Sequence, residues 1–224
     1  MMNIKNLQWA MAAVMLTIVG HSWADALIID EFTHAQTVVD RGNTSGATVS
    51  TLTGLTGTDL SNVTRIFSAT ATDGSYSSKE EIISGNHLLK ISNSATSSGS
   101  ATVTWNFDPI DFTAFGSAIL LEVAAIDLNV GVEMIANGVS SSGIKIFSNT
   151  DDFLVSFNDF SNSSVFSNIS SFSLNFTGPQ AWDGQFKLLT AGTPVATVPL
   201  PPSLVLMGAG LLGMIGVTRN KQLI

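Results

Sequence analysis

The chain has 224 residues, no cysteine, and 17 acidic residues against nine lysines and arginines, for a net charge of −8. Without cysteine it has no disulfide framework, so an exported domain in it must rest on its hydrophobic core. The acidic balance tells against nucleic acid and anionic lipid as partners, since both are held through basic surfaces.

At the N-terminus Lys5 precedes an apolar stretch, Leu7 to Val19, interrupted only by Gln8 and Thr17. Two small-x-small triplets follow, Ser22-Trp23-Ala24 and Ala24-Asp25-Ala26. A basic start, an apolar stretch of about a dozen residues and a small-residue cleavage site make a secretory signal peptide, cut after Ala24 or Ala26. Residues 1–24 are assigned to the signal and 25–194 to an exported domain. Between the two ends of the chain, six basic residues face all 17 acidic ones, a net −11. About 170 residues suffice for one buried core and one domain.

The domain reads as strands in chain order. Ala26–Asp30 opens it, and Val63 to Thr72, His87–Ile91 and Thr102–Phe107 follow. In the last of these, Val103, Trp105 and Phe107 point one way and Thr102, Thr104 and Asn106 the other. Ile119 to Ile126 is apolar on both faces and so central. Val130–Met134 alternates; Phe153, Val155 and Phe157 share a face, as do Phe172, Leu174 and Phe176; Gln185–Leu189 closes the series. Turns are expected at Asp73-Gly74, Ser84-Gly85-Asn86, Asn137-Gly138, Ser142-Gly143, Gly178-Pro179 and Asp183-Gly184. No segment of the domain sustains a helical period. About ten strands predict a mainly β fold, a single antiparallel β-sandwich of jelly-roll type. Uneven strands and an apolar helical tail, instead of a closing membrane strand, tell against an outer-membrane barrel.

The tail is tripartite. Val198-Pro199-Leu200-Pro201-Pro202 holds the backbone extended, because proline donates no hydrogen bond and restricts its predecessor. Ser203 to Val217 is uncharged and suits a helix of about 22 Å, short of a hydrocarbon core of roughly 30 Å. Arg219 and Lys221 follow and would stay cytoplasmic. The proline hinge, this glycine-studded apolar helix and the basic end resemble a PEP-CTERM sorting domain, with Leu200 where the name-giving motif has glutamate. That resemblance covers residues 198–224. It implies processing by an exosortase, a membrane enzyme of Gram-negative bacteria, with transient residence in the inner membrane. It also implies delivery to the cell surface or an exopolysaccharide matrix. The sorting residues would be Val198, Pro199, Leu200, Pro201, Arg219 and Lys221.

A second resemblance is one of rhythm. Ile28-Ile29-Asp30-Glu31-Phe32, Thr102–Phe107, Phe172–Phe176 and Trp182-Asp183-Gly184 are similar to exported jelly-roll proteins with galactose-binding-like outlines. In such sandwiches acidic groups near the two termini can share a calcium ion, and the resemblance implies Asp30, Glu31 and Asp183 for that role here. Oxygen donors converging from loops suit calcium.

Catalytic signatures are sparse. Between the two ends the histidines are His34 and His87, without zinc spacing. Acidic neighbours such as Glu80-Glu81 point to opposite strand faces and read as solvated charges, not as a glycosidase pair. Trp105, in phase with Val103 and Phe107, reads as core. Tyr76 in a serine-rich loop and Trp182 after a Gly-Pro turn are the candidates for stacking on sugar rings. The sequence therefore points to a non-catalytic surface or matrix protein, with a calcium-stabilised carbohydrate-binding module as the alternative reading and a polysaccharide hydrolase behind it.

Overall fold

The computed structural model describes residues 24–42, 46–72, 78–147 and 151–193. They form thirteen strands. These are β1 (Ala24–Asp30), β2 (Gln36–Asp40), β3 (Thr48–Thr53), β4 (Thr64–Thr70), β5 (Glu80–Gly85), β6 (Leu88–Asn93) and β7 (Ser100–Ile110). They continue as β8 (Ala118–Ile126), β9 (Val130–Ala136), β10 (Ser140–Phe147), β11 (Phe153–Ser156), β12 (Ile169–Thr177) and β13 (Asp183–Thr193).

The strands divide into a seven-stranded sheet, ordered β11-β8-β13-β6-β5-β2 with β1 also on β13, and a six-stranded sheet, ordered β10-β9-β12-β7-β4-β3. All pairings are antiparallel. From β6 to β9 the chain changes sheet at every step. It then returns to place β12 between β7 and β9, and β13 between β6 and β8. This is the jelly-roll wrap, and the expected sandwich is present. β13 lies inside its sheet: β8 covers one edge along Gly184–Gly192, while β6 and then β1 share the other.

Alternation sets the core. On β7, Ala101, Val103, Trp105 and Phe107 are buried; on β12, Phe172, Leu174 and Phe176 are buried. Their neighbours Thr102, Thr104, Ser173 and Asn175 stand on the outer face. One end of the sandwich is closed by phenylalanines on short 3-10 turns. Phe166 stacks on Phe157 with ring centroids 3.9 Å apart and meets Phe160 edge-on at 4.8 Å. Trp182 plugs the other end, near Gly99, stacked on Phe176.

Four strands are not among those expected from the sequence: β2, β3, β5 and β10. β3 reads Thr-Val-Ser-Thr-Leu-Thr and β10 begins with three serines, so both look like loops. Ser142-Gly143 is no turn: Gly143, at φ +66°, sits at a bulge in β10, where the register shifts between Ser141 and Ile144. Asp183-Gly184 is no turn either, since it begins β13. The β5–β6 hairpin turns on Asn86 and His87, at φ +52° and +59°, as a two-residue loop of this sign requires. Among the described residues no helix is long and apolar enough to cross a membrane.

Candidate functional site

The outer face of the six-stranded sheet carries small polar side chains in register. Ser68, Thr102, Asn175 and Glu133 form one row across β4, β7, β12 and β9; Ile66, Thr104, Ser173 and Ile135 form the next. Thr64, Asn106 and Ser171 continue it toward one end, and Thr70, Ser100 and Thr177 toward the other. These groups are half-buried by their neighbours or exposed. They bond sideways: Thr104 and Ser173 hydroxyls lie 2.9 Å apart, and Thr102 donates to Asn175 Oδ1 at 3.1 Å. Asn175 Nδ2 and the Ser141 hydroxyl both donate to the Glu133 carboxylate. The result is a pre-ordered surface of hydroxyl and amide groups interrupted by Val49, Ile66 and Ile135, with no aromatic ring among the described side chains. Such a surface can exchange hydrogen bonds with a flat hydroxylated polymer. At its edge, on β10, Ile144 and Ile146 are exposed beside Gly131.

Two polar clusters lie between the sheets. In the first, Asp30 at the end of β1 meets Arg65 of β4 at 2.7 Å, with both side chains almost wholly buried. Trp105 Nε1 and the Phe32 amide also donate to Asp30, at 2.8 and 2.7 Å. The Arg65 guanidinium donates further to Gln36 Oε1, Ser84 Oγ and the His34 carbonyl, and lies 4.9 Å from the Phe67 ring centroid. Charge and hydrogen-bond capacity are both answered, and the cluster ties the two sheets together.

The second cluster is a row of three. Asp40 on β2 is the register partner of Glu80 on β5, which is in turn the partner of Asn93 on β6. All three face inward, at 1 %, 0 % and 7 % exposure. Asp40 accepts from the Ala71 amide at 2.7 Å, and Asn93 Oδ1 from the Gly99 amide at 3.0 Å. Neither carboxylate oxygen of Glu80 has a hydrogen-bond partner. Burial pushes the Glu80 carboxyl up to about 9; Asn93 works against this, and the negative charges of Asp183 and Asp40 add to it.

The structure does not bring Asp30, Glu31 and Asp183 together. Asp30 pairs with Leu189, and Asp183 lies six residues further along β13, roughly 20 Å away at the rise of a strand. Asp30 is taken up by Arg65, and no group of three or more His, Asp or Glu side chains among the described residues is placed to hold a metal. Trp182 is fully buried, with its indole donating to the Gly99 carbonyl at 3.3 Å, so it offers no sugar platform. Trp105 is core, as its phase requires. Glu80, which reads as a solvated charge in the sequence, is buried. Ala24 and Ala26 belong to β1. Tyr76 and the sorting residues Val198, Pro199, Leu200, Pro201, Arg219 and Lys221 lie outside the described residues. A hollow of about 240 Å³, lined by Thr33, Ser84, Asn86 and Lys90 among others, holds no carboxylate or histidine.

No family model matches the sequence, and no curated protein matches it. Similar solved structures do exist. CtCBM11, in a solution study of structure, dynamics and binding, is 15 % identical over 81 % of this chain and all of its own, with a TM-score of 0.41. A family 11 carbohydrate-binding module from Clostridium thermocellum, in complex with a β-1,3-1,4-mixed-linked tetrasaccharide, is 12 % identical over 78 % of this chain and all of its own, with a TM-score of 0.37. Likenesses this distant say nothing of what the present chain binds.

Proposed function

We propose that this chain is an exported, non-catalytic surface or matrix protein. Its sandwich holds a neutral, hydroxyl-rich polymer, such as an exopolysaccharide, against the outer face of the six-stranded sheet. The observation that carries this reading is the laterally bonded surface of Thr102, Thr104, Ser173 and Asn175, whose hydroxyl and amide groups are already oriented. Pre-ordered groups lose little freedom on binding, which favours recognition of a repeating polymer by many weak contacts. The net −11 between the two ends suits a neutral partner over an anionic one. Export and sorting rest on the sequence at both ends, with an exosortase-type membrane enzyme as processing partner.

Affinity electrophoresis of the native protein through gels containing neutral polysaccharides tests the binding. Retardation is expected, with no sugar released from the gel; unchanged mobility in every neutral polysaccharide sinks the reading. Mass spectrometry of the protein recovered from its host tests the sorting. A cut after Ala24 or Ala26 and a second cut near Pro199 are expected; an intact C-terminus in the cytosol sinks that part.

A further inference from the structure

The row of Asp40, Glu80 and Asn93 carries an inference independent of the polymer face. Three side chains with oxygen acceptors stand side by side on β2, β5 and β6, all turned inward. More oxygen converges on the same place. A methyl group built on Gly99 would lie 2.5 Å from Glu80 Oε2, 2.5 Å from the Thr70 carbonyl oxygen and 3.1 Å from Asn93 Oδ1. Only glycine lets the backbone pass so close to this ring of acceptors. Glu80 itself has two oxygens, fully buried, and neither makes a hydrogen bond.

The surrounding charge sharpens the point. The charged groups that Glu80 feels from β2 and β13 are Asp40 and Asp183, both negative. Asp40 is held in place by the Ala71 amide and the Thr48 hydroxyl. Two carboxyl groups side by side in a region of low dielectric are accommodated either by a proton or by a cation between them. The donor set is oxygen alone, with no histidine or cysteine in the row. That chemistry suits a hard divalent cation of flexible coordination, and not zinc.

We propose that Asp40, Glu80 and Asn93, with the Thr70 carbonyl, bind one calcium ion at the end of the sandwich plugged by Trp182. The two carboxylates balance its charge, and Glu80 can engage it through both oxygens, with water completing the shell. Bound there, the ion joins β2, β5 and β6 to the segment around Gly99 that leads into β7. It therefore links the two sheets at the end opposite the phenylalanine turns.

The full-length chain tests this with calcium chloride, magnesium chloride and EDTA as the added agents. Unfolding followed by tryptophan fluorescence is expected to shift upward by about 5–10 °C in calcium at roughly a hundred times its dissociation constant. Magnesium, which dehydrates reluctantly, should give little shift. Terbium offers a second readout, because Trp182 accepts a bond from Asn93 through its carbonyl and lies beside the site as an energy donor. Luminescence that calcium competes away is expected. Glu80→Gln should lose both responses while melting in EDTA no lower than the wild-type chain. Asp40→Asn serves if that variant fails to fold.

Three results would overturn the proposal. One is a wild-type melting temperature indifferent to calcium and EDTA. Another is a Glu80→Gln chain that keeps the full calcium shift, which would place the ion elsewhere. The third is a wild-type chain stabilised by acid alone and blind to terbium, which would assign the balancing charge to a proton.

Discussion

Asp30 and Glu80 are both buried carboxyl groups between the same two sheets, yet they meet opposite surroundings. Asp30 is given a guanidinium, an indole N–H and a backbone amide. Glu80 is given two acidic neighbours, and neither of its oxygens makes a hydrogen bond. A buried charge that is paired and bonded fixes geometry; one that is not must find a counter-charge from outside the chain or take up a proton. The first cluster is thus a self-sufficient staple, and the second is a socket for something mobile.

Breaking the staple gives the largest effect. Arg65→Ala strands Asp30 and leaves Gln36 and Ser84 without their donor, so a loss of about 3–5 kcal/mol is expected in urea unfolding. Asp30→Ala should cost a similar amount, and the double variant less than the sum. Equal, additive losses of a few tenths would make the pair a bystander. Gly99→Ala comes next. Its methyl group would press on the Thr70 carbonyl and on Glu80 Oε2, with a cost of about 1–3 kcal/mol and weaker terbium binding.

The pH dependence separates the two clusters further. In EDTA, folded Glu80 keeps its proton up to a pKa of about 9, while the unfolded chain releases it near the ordinary carboxyl value of 4.5. The folded state then binds more protons than the unfolded state between those values. Stability is fully present below pH 4.5 and falls by up to about 1.4 kcal/mol per pH unit as pH rises toward 9. Glu80→Gln should flatten that slope, and calcium should mask it; a slope unchanged in the variant would assign it to another group. The smallest stability effect belongs to Ser173→Arg on the outer face, within about 0.5 kcal/mol. Retardation by polysaccharide should nonetheless disappear, because a long cation would stand in the middle of the hydroxyl rows.

Much of the sandwich is legible in the sequence because β7 and β12 alternate cleanly, and their hydroxylated face follows from the same period. Arg65 could have been placed: it shares phase with Phe67 and Ala69, so it must point inward with them. Glu80 shares phase with Ile82 in the same way, and of two adjacent acids on a strand one has to face the core. What the sequence withholds is partnership. Asp30 with Arg65, and Asp40 with Glu80, depend on strand register across stretches of 35 and 40 residues, which local pattern does not encode. Trp182 misleads for another reason. It follows a Gly-Pro turn, but Gly178 offers no Cβ, and the indole folds into that space, 2.6 Å from where a Cβ would be.

The placement of β13 inside its sheet has a mechanical consequence. Its ladder bonds to β8, β6 and β1 run across the strand, so a pull along the chain at Thr193 loads them together in shear. Bonds stretched as a group resist far more tension than bonds peeled one after another. A tether fastened beyond that residue would draw on a strand paired along both of its edges.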